Sequence, residues 1–297
     1  MDFRAALKHG IAQLRAAHVA SDTLAAELLL LHTVKRERAY LYSHPEAELS
    51  AEEVREYQKL LDKRASGVPV QHLTGRQEFW GLTFEVTPDV LIPRPETEHL
   101  IEVALDRLAL RELHAGRPNK NDGAGLQIAD VGTGSGCIVI ALAKELPAAE
   151  FVAIDVSPAA LAVAERNAAR LGYSGCIRFS ESNLFSASSL SSTQFDLVVS
   201  NPPYVGRREA ASLATEVRDH EPELALYGGE EGYEFYGDLI AQTAEHLKQG
   251  GLIVLELGHD SLPAVQPLLD APHWKNAAIT NDLAGIPRVI AAERASL

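Results

Sequence analysis

The stretch Asn201-Pro202-Pro203-Tyr204 sets a carboxamide, two rigid imino acids and an aromatic ring in immediate succession. It follows Phe195 to Ser200, whose apolar residues predict a buried strand with an abrupt end. Consecutive prolines fix φ at two positions and remove two N–H donors, so neither strand nor helix continues through them. A polar group and a flat ring, mounted rigidly at the C-terminal end of a strand, can hold a small planar amide or amine. The same residues also make a plain rigid turn. The choice depends on whether a cofactor site lies beside them.

Such a site is predicted upstream. A β-rich run from Leu126 to Val131 leads into Asp130-Val131-Gly132-Thr133-Gly134-Ser135-Gly136, followed by a helical pattern from Cys137 to Leu146. Glycines here permit a tight turn and a close approach of backbone to ligand. The next predicted strand ends at Asp155, about 20 residues on, where an acid can accept hydrogen bonds from ribose hydroxyls. The glycine spacing is G-x-G-x-G and not the dinucleotide G-x-G-x-x-G. Asp130 before it would repel a pyrophosphate but suits a cationic sulfonium or an α-ammonium group. S-adenosylmethionine is therefore the expected cofactor, with Asn183-Leu184-Phe185 beside its adenine. A fourth strand ending next to the first would bring Asn201 to the mouth of the methyl-donor pocket.

Other chemistries are poorly supported. The histidines are scattered with no close pair at metal-ligand spacing, so no metal is expected. Ser135 lacks the strand–nucleophile–helix elbow and placed histidine of a hydrolase. Glu96, Glu221 and Glu256 read as a helix-start, a loop and a sheet-end residue. The net charge of −14 argues against direct nucleic-acid binding and against a membrane surface. No apolar run approaches the ~20 residues of a membrane span. The Met1-Asp2-Phe3-Arg4 start has no signal-peptide pattern, and two cysteines suit a reducing compartment, so a cytoplasmic location is expected.

The elements that must position these residues fall into three stretches. Residues 1–67 read as a small helical bundle, a surface for a partner. Phe3, Leu7, Ile11 and Leu14 repeat at helical spacing, as do Leu24, Leu28 and Leu31. Ser50 with Glu53 forms a capping box that opens a helix carrying Val54, Tyr57, Leu60 and Leu61 inward and ending at Gly67. Residues 68–95 read as a β-hairpin linker, with Phe79-Trp80 as hairpin core. Leu91-Ile92-Pro93-Arg94-Pro95-Glu96-Thr97-Glu98 is either a segment that docks two domains or a lid that turns Arg94 and Glu96 toward substrate. Residues 111–125 read as a polar surface loop. From 96 to 297, strands and helices alternate, which predicts a parallel sheet with helices on both faces. Ser157-Pro158 predicts a capped helix start. Lys275 to Thr280 and Arg288 to Ala292 are too close for a crossover and predict an antiparallel pair.

Taken with Gln77 to Leu82 and Glu221-Pro222-Glu223-Leu224-Ala225-Leu226, these motifs resemble the PrmC/HemK family over roughly residues 60–297, and more loosely at the helical N-terminus. The resemblance implies an α/β fold: a Rossmann-like class I methyltransferase domain with a smaller helical N-terminal domain and a β-hairpin linker. It implies methyl transfer from S-adenosylmethionine to the side-chain N5 of the glutamine in the GGQ motif of peptide chain release factors, by an enzyme expected to be a monomer whose partner is that protein substrate. By the same resemblance Asp130, Gly132, Thr133, Gly134, Ser135, Gly136, Asp155, Asn183, Leu184 and Asn201 bind cofactor. Asn201, Pro202 and Tyr204 are catalytic, and Pro203, Arg94 and Glu96 join them in binding substrate. The sequence departs from the family at Asn183, where an acid is usual, so a contact to adenine N6 would fall to an amide oxygen.

A glutamine amide nitrogen is a weak nucleophile because its lone pair is delocalised. The expected remedy is orientation: the Asn201 side-chain oxygen and the Pro202 carbonyl each accept one amide hydrogen, and Tyr204 packs on the amide plane. The rival readings are an adenine-N6 DNA methyltransferase, since Asn201 can equally hold an exocyclic amine, and a non-enzymatic module that carries the cofactor as a structural ligand.

Overall fold

The computed structural model describes residues 1–114 and 122–295. The chain divides into two units, residues 1–76 with 214–220 and residues 77–213 with 221–297.

The first unit contains helices α1 (Phe3–Ala16), α2 (Asp22–Val34), α3 (Arg38–Ser43), α4 (Ala51–Ala65) and α5 (Val70–Thr74). Asp2 caps α1 by accepting the Ala5 N–H at 2.7 Å. The capping box on α4 forms in both directions, Glu53 N–H to Ser50 Oγ at 3.2 Å and Ser50 N–H to Glu53 Oε2 at 2.7 Å. Phe3, Leu14, Tyr57, Leu60 and Leu61 are buried in one core. Gly10 makes room for Tyr57, whose hydroxyl would lie 2.1 Å from a Cβ there and donates to the Ala26 carbonyl at 3.0 Å.

α2 differs from expectation. Its buried face carries Ala25, Ala26, Leu29 and Leu30, while Leu24 and Leu28 are exposed. The row of leucines at helical spacing is real, but the buried face of α2 is centred on Ala25, Ala26, Leu29 and Leu30 instead.

β1 (Arg76–Phe79), all but its first residue in the second unit, and β2 (Leu82–Glu85) form a hairpin whose two turn residues, Trp80 and Gly81, have φ of 54° and 67°. That is the mirror-image turn that matches strand twist. Phe79, with Phe84, is fully buried in the main core, whereas Trp80 stands in the turn, partly buried against that core with its indole donating to Glu145 at 2.8 Å.

The main sheet uses β3 (Gln127–Val131), β4 (Glu150–Asp155), β5 (Ile177–Glu181), β6 (Phe195–Ser200), then after the short parallel pair β7 (Val205–Gly206) and β8 (Tyr227–Gly229), β9 (Leu247–Glu256), β10 (Trp274–Asn281) and β11 (Pro287–Arg294). Its seven strands run in the order β10-β11-β9-β6-β3-β4-β5. β5, β4, β3, β6 and β9 are mutually parallel, and β11 is antiparallel to β9 and β10, as the short connection requires.

Strand side chains alternate between two cores. Phe151, Ala153, Leu197, Val199, Leu252 and Val254 face one; Val152, Ile154, Val198, Ile253 and Leu255 face the other. The first core is covered by α6 (Glu98–His114) and α7 (Cys137–Glu145), and α8 (Pro158–Leu171) packs beside it. The second is covered by the helix Glu234–His246. Ser157 caps α8 through the Ala160 N–H, with Pro158 at its first position. The loop expected at 111–125 is helical in α6 up to His114, and its residues 115–121 lie outside the described residues. Among the described residues, no helix is long and apolar enough to cross a membrane.

Chain order reverses between β3 and β6. The crevice beyond the C-terminal ends of these strands is where an open α/β sheet takes its ligand.

Candidate active site

β3 ends in the glycine loop and β6 ends in Asn201. The two ends are tied together by the Ser200 hydroxyl, which donates to the Val131 carbonyl at 2.6 Å. A cavity opens here. Its walls include Gly132, Thr133, Gly134, Ser135, Asp155, Asn183, Leu184, Asn201 and Pro203, together with Leu91, Pro93, Arg94 and Thr97. The segment from Leu91 to Thr97 is thus one wall of the cavity.

The loop is shaped by backbone geometry. Gly132 and Gly134 have φ of 74° and 55°, in the left-handed region that favours glycine. A Cβ on Gly132 would meet nothing within 4 Å, so that space is open to a ligand. Gly136 is different: it does not line the cavity, and a Cβ there would stand 3.1 Å from Ala164 Cβ. Its role is close packing of α7.

Asp155 holds the loop from the next strand. Its Oδ2 accepts the Gly134 N–H at 2.8 Å and its Oδ1 accepts the Ser157 N–H at 2.9 Å. Each oxygen keeps a second lone pair for a hydroxyl. Burial raises its pKa, and the backbone N–H groups pull the other way.

Asp130 is completely buried and is not part of the cavity wall. It lies on the face of β3 that α7 covers. There its Oδ2 accepts the Thr133 hydroxyl at 2.7 Å and the Val139 N–H at 3.2 Å, bracing the loop and the helix start. Its Oδ1 is buried without a partner. Burial pushes its pKa up to about 7, against the two hydrogen bonds and with a further push from the charge of Asp155.

Asn201 is partly buried. Its Nδ2 donates to Thr97 Oγ1 at 3.1 Å, and its Oδ1 is buried without a partner. A free acceptor at a cavity wall is what an N–H donor needs.

Several expected site residues stand elsewhere. Tyr204 is absent from the wall: its ring packs on Gly258, where a Cβ would lie 3.0 Å from the ring, and its hydroxyl reaches Glu256 Oε1 at 3.5 Å. An apolar ring with one polar tip is satisfied by that combination. Pro202 is buried and does not line the cavity, whereas Pro203 does. Glu96 is exposed, and the next residue, Thr97, takes the place at the wall. Asn183 lines the cavity with an exposed side chain, beside buried Leu184, whose φ is 52°.

Three residues went unassigned in the sequence. Thr97 was visible only as part of a proline-rich segment. Glu221 is buried and pairs with Arg94, its Oε2 also accepting the Ile92 N–H at 3.2 Å. Glu256, the last residue of β9, is 1% exposed. Burial pushes it up to about 7, while the Thr97 hydroxyl, Arg288 and the Tyr204 hydroxyl favour its ionised form.

The residues present fit a sulfonium nucleoside. Asp155 offers acceptors, Ile154 and Leu184 offer apolar surface, the glycines leave room, and Asp130 keeps an unpartnered carboxylate oxygen just beneath the loop.

Comparison with known proteins agrees. Residues 5–75 match the family model for the PrmC N-terminal domain, and residues 117–222 match the one for the methyltransferase small domain. A methyltransferase structure from Pyrococcus furiosus shares the fold, with a TM-score of 0.51 and 19% identity over 73% of this chain and 90% of that one. A release factor glutamine methyltransferase from Moorella thermoacetica is 38% identical over 99% of both chains. A second, from Koribacter versatilis, is 44% identical over 98% of this chain and 97% of its own length. With identity of that level over nearly the whole length, the chain belongs to the release factor glutamine methyltransferase family.

Proposed function

We propose that this protein transfers the methyl group of S-adenosylmethionine to the side-chain amide nitrogen of a glutamine, the one in the GGQ motif of peptide chain release factors. The observation that carries this reading is the unpartnered Oδ1 of Asn201, held at the cavity wall beside the glycine loop. When bound, S-adenosylmethionine supplies an electrophilic methyl group on a sulfonium centre.

The chain's own residues do the rest by binding and orientation. Asp155, the Gly132-to-Gly136 loop, Asn183 and Leu184 hold the nucleoside half of the donor. Asp130 supports that loop from beneath, through the Thr133 hydroxyl and the Val139 N–H. Asn201 Oδ1 accepts a hydrogen of the acceptor amide. With that hydrogen fixed, the out-of-plane lobe of the nitrogen points at the donor side, and pyramidalisation in the transition state is favoured over the planar ground state. Orientation of two bound reactants is worth on the order of 7 kcal/mol or more in ideal cases. Of the two residues expected to accept the amide hydrogens, Asn201 lines the cavity and Pro202 does not. Tyr204 stands off the wall, with its hydroxyl 3.5 Å from Glu256 Oε1.

The partner is a protein. A net charge of −14 gives no footprint for a nucleic-acid backbone, and it fits a monomeric enzyme working in the cytoplasm. The test is methyl transfer from labelled S-adenosylmethionine to a release factor and, in parallel, to duplex DNA. Label in the release factor alone supports the reading. Label in DNA would replace it with the amine reading of Asn201, and a protein that binds donor without any transfer would be a binding module.

A further inference from the structure

Asparagine is a poor residue for the middle of a helix, because its side chain competes for backbone hydrogen bonds. Asn167 nevertheless stands well inside α8, and it is fully buried. A buried carboxamide has to be satisfied, and this one reaches out of its own helix to be so. Its Oδ1 accepts the Glu85 N–H at 2.7 Å and the Arg170 guanidinium at 2.9 Å. Its Nδ2 donates to the Glu85 carbonyl and to the Ser135 carbonyl, each at 3.0 Å. Turning the amide over would set a donor against the Glu85 N–H and an acceptor against two carbonyls, so the bonds fix its orientation.

The two ends of this tie belong to different walls of the cavity. Ser135 is part of the glycine loop and lines the cavity. Glu85 ends β2, and the chain runs on from it to Asp89, Val90 and Leu91, which line the cavity as well. Between them, Val86 and Val90 pack with Ala160 and Val163 of α8. Asp155 already holds the loop by the Gly134 N–H, and Asn167 holds the next residue by its carbonyl. Asn167 itself is not part of the wall.

We propose that Asn167 is a positioning residue for S-adenosylmethionine, setting the glycine loop and the 89–91 wall at their working separation before the donor arrives. This rests on the reading of the cavity as the donor pocket and is independent of what the acceptor is. A tie made in advance lowers the ordering cost of binding. Once the donor is bound, its own contacts hold both walls, so the methyl-transfer step is unchanged. The signature is therefore a loss of donor affinity without a loss of kcat.

Arg170 supplies the control. It grips the same strand, donating to the Thr83 carbonyl and to Asn167 Oδ1, but it is exposed and lies outside the cavity wall. Arg170→Met loosens the hairpin edge and leaves the Ser135 carbonyl with its donor.

The experiment compares Asn167→Ala and Arg170→Met with the wild type in the full chain. In Asn167→Ala the Kd for S-adenosylhomocysteine, by calorimetry, and the KM for S-adenosylmethionine should both rise about 5- to 30-fold, the worth of one or two hydrogen bonds. Its kcat at saturating donor should stay within about 2-fold of wild type. Arg170→Met should keep the wild-type Kd within about 2-fold, as an exposed charge does. An unmoved Kd in Asn167→Ala, an equal rise in Arg170→Met, or a lowered kcat with unchanged KM overturns the proposal. If Asn167→Ala does not fold, the wild type decides, by nitrogen NMR of the Asn167 side-chain amide in selectively labelled protein. A shift of that resonance on adding S-adenosylhomocysteine supports the tie, and an unmoved resonance refutes it. If the wild type methylates no release factor, the acceptor reading falls and the calorimetric comparison still tests Asn167. A wild type that binds no S-adenosylhomocysteine overturns the pocket reading and this proposal with it.

Discussion

Arg94 and Glu221, 127 positions apart in the chain, form an ion pair in which the carboxylate is 1% exposed and the guanidinium 31%. Glu221 also takes the Ile92 N–H. One carboxylate thereby pins both the backbone and a side chain of the segment that walls the cavity. Arg94→Met should leave that carboxylate buried with a single partner and cost about 1–3 kcal/mol. Urea unfolding monitors the loss, and S-adenosylhomocysteine affinity should fall with it because Arg94 and Leu91 line the cavity.

Asn201→Ala removes the acceptor oxygen and leaves the glycine loop and Asp155 in place. Turnover should fall about 100- to 1000-fold, the range seen when one preorganised hydrogen-bonding group is deleted from a transition-state site. Calorimetric titration with S-adenosylhomocysteine should show near-wild-type binding. Wild-type turnover in this variant would remove Asn201 from the mechanism.

Gly132→Ala and Gly136→Ala separate two uses of glycine in one loop. Both sites have φ near +75°, at 74° and 79°, so both substitutions carry about 1–2 kcal/mol of backbone strain. At Gly136 the new methyl also crowds Ala164 and Ile140, at 3.1 and 3.2 Å, which adds about 1–3 kcal/mol of overpacking. Gly136→Ala should therefore melt lower than Gly132→Ala in the absence of ligand. Gly132→Ala should show the larger loss of donor affinity relative to its stability.

The buried acids set a pH dependence of stability. Asp130 and Glu256 ordinarily titrate at 3.8 and 4.5, and burial raises both to about 7 in the folded chain. Between those limits the folded state binds more protons than the unfolded one, so unfolding free energy falls as pH rises. The contribution is complete below pH 4 and is lost as pH rises through about 7. The ligand-free protein should be less stable at pH 8 than at pH 5 on this account, and Asp130→Asn should flatten the slope. A slope unchanged in Asp130→Asn would mean that Asp130 is already ionised well below neutrality.

The parts of this site that were legible in the sequence are those set by local backbone chemistry. The glycine loop, the Ser157-Pro158 helix start, the capping box at Ser50 and Glu53, and the stop at Pro202-Pro203 each depend on a few neighbouring residues. The hairpin of β10 and β11 followed from a short connection. What could not be read depends on long-range packing. Thr97 meets Asn201 across 104 positions, and nothing near Thr97 marks it as more than a helix-start residue. Tyr204 looked like a ring for a planar ligand because the sequence does not show that Gly258 leaves a flat backbone surface for it. Asp130 looked like a residue of the pocket surface, but strand alternation turns it toward α7. On α2, the leucine spacing identified a helix without saying which face would be buried, and that is set by packing against the other helices of the bundle.

The most direct measurement is peptide mapping by mass spectrometry of a release factor incubated with this protein and S-adenosylmethionine, beside the same reaction with Asn201→Ala. The predicted result is a single methyl group on the side-chain nitrogen of the GGQ glutamine, present with the wild-type chain and missing with Asn201→Ala. Methyl groups on a different residue, or an equal yield from Asn201→Ala, would contradict an amide held by the Asn201 oxygen.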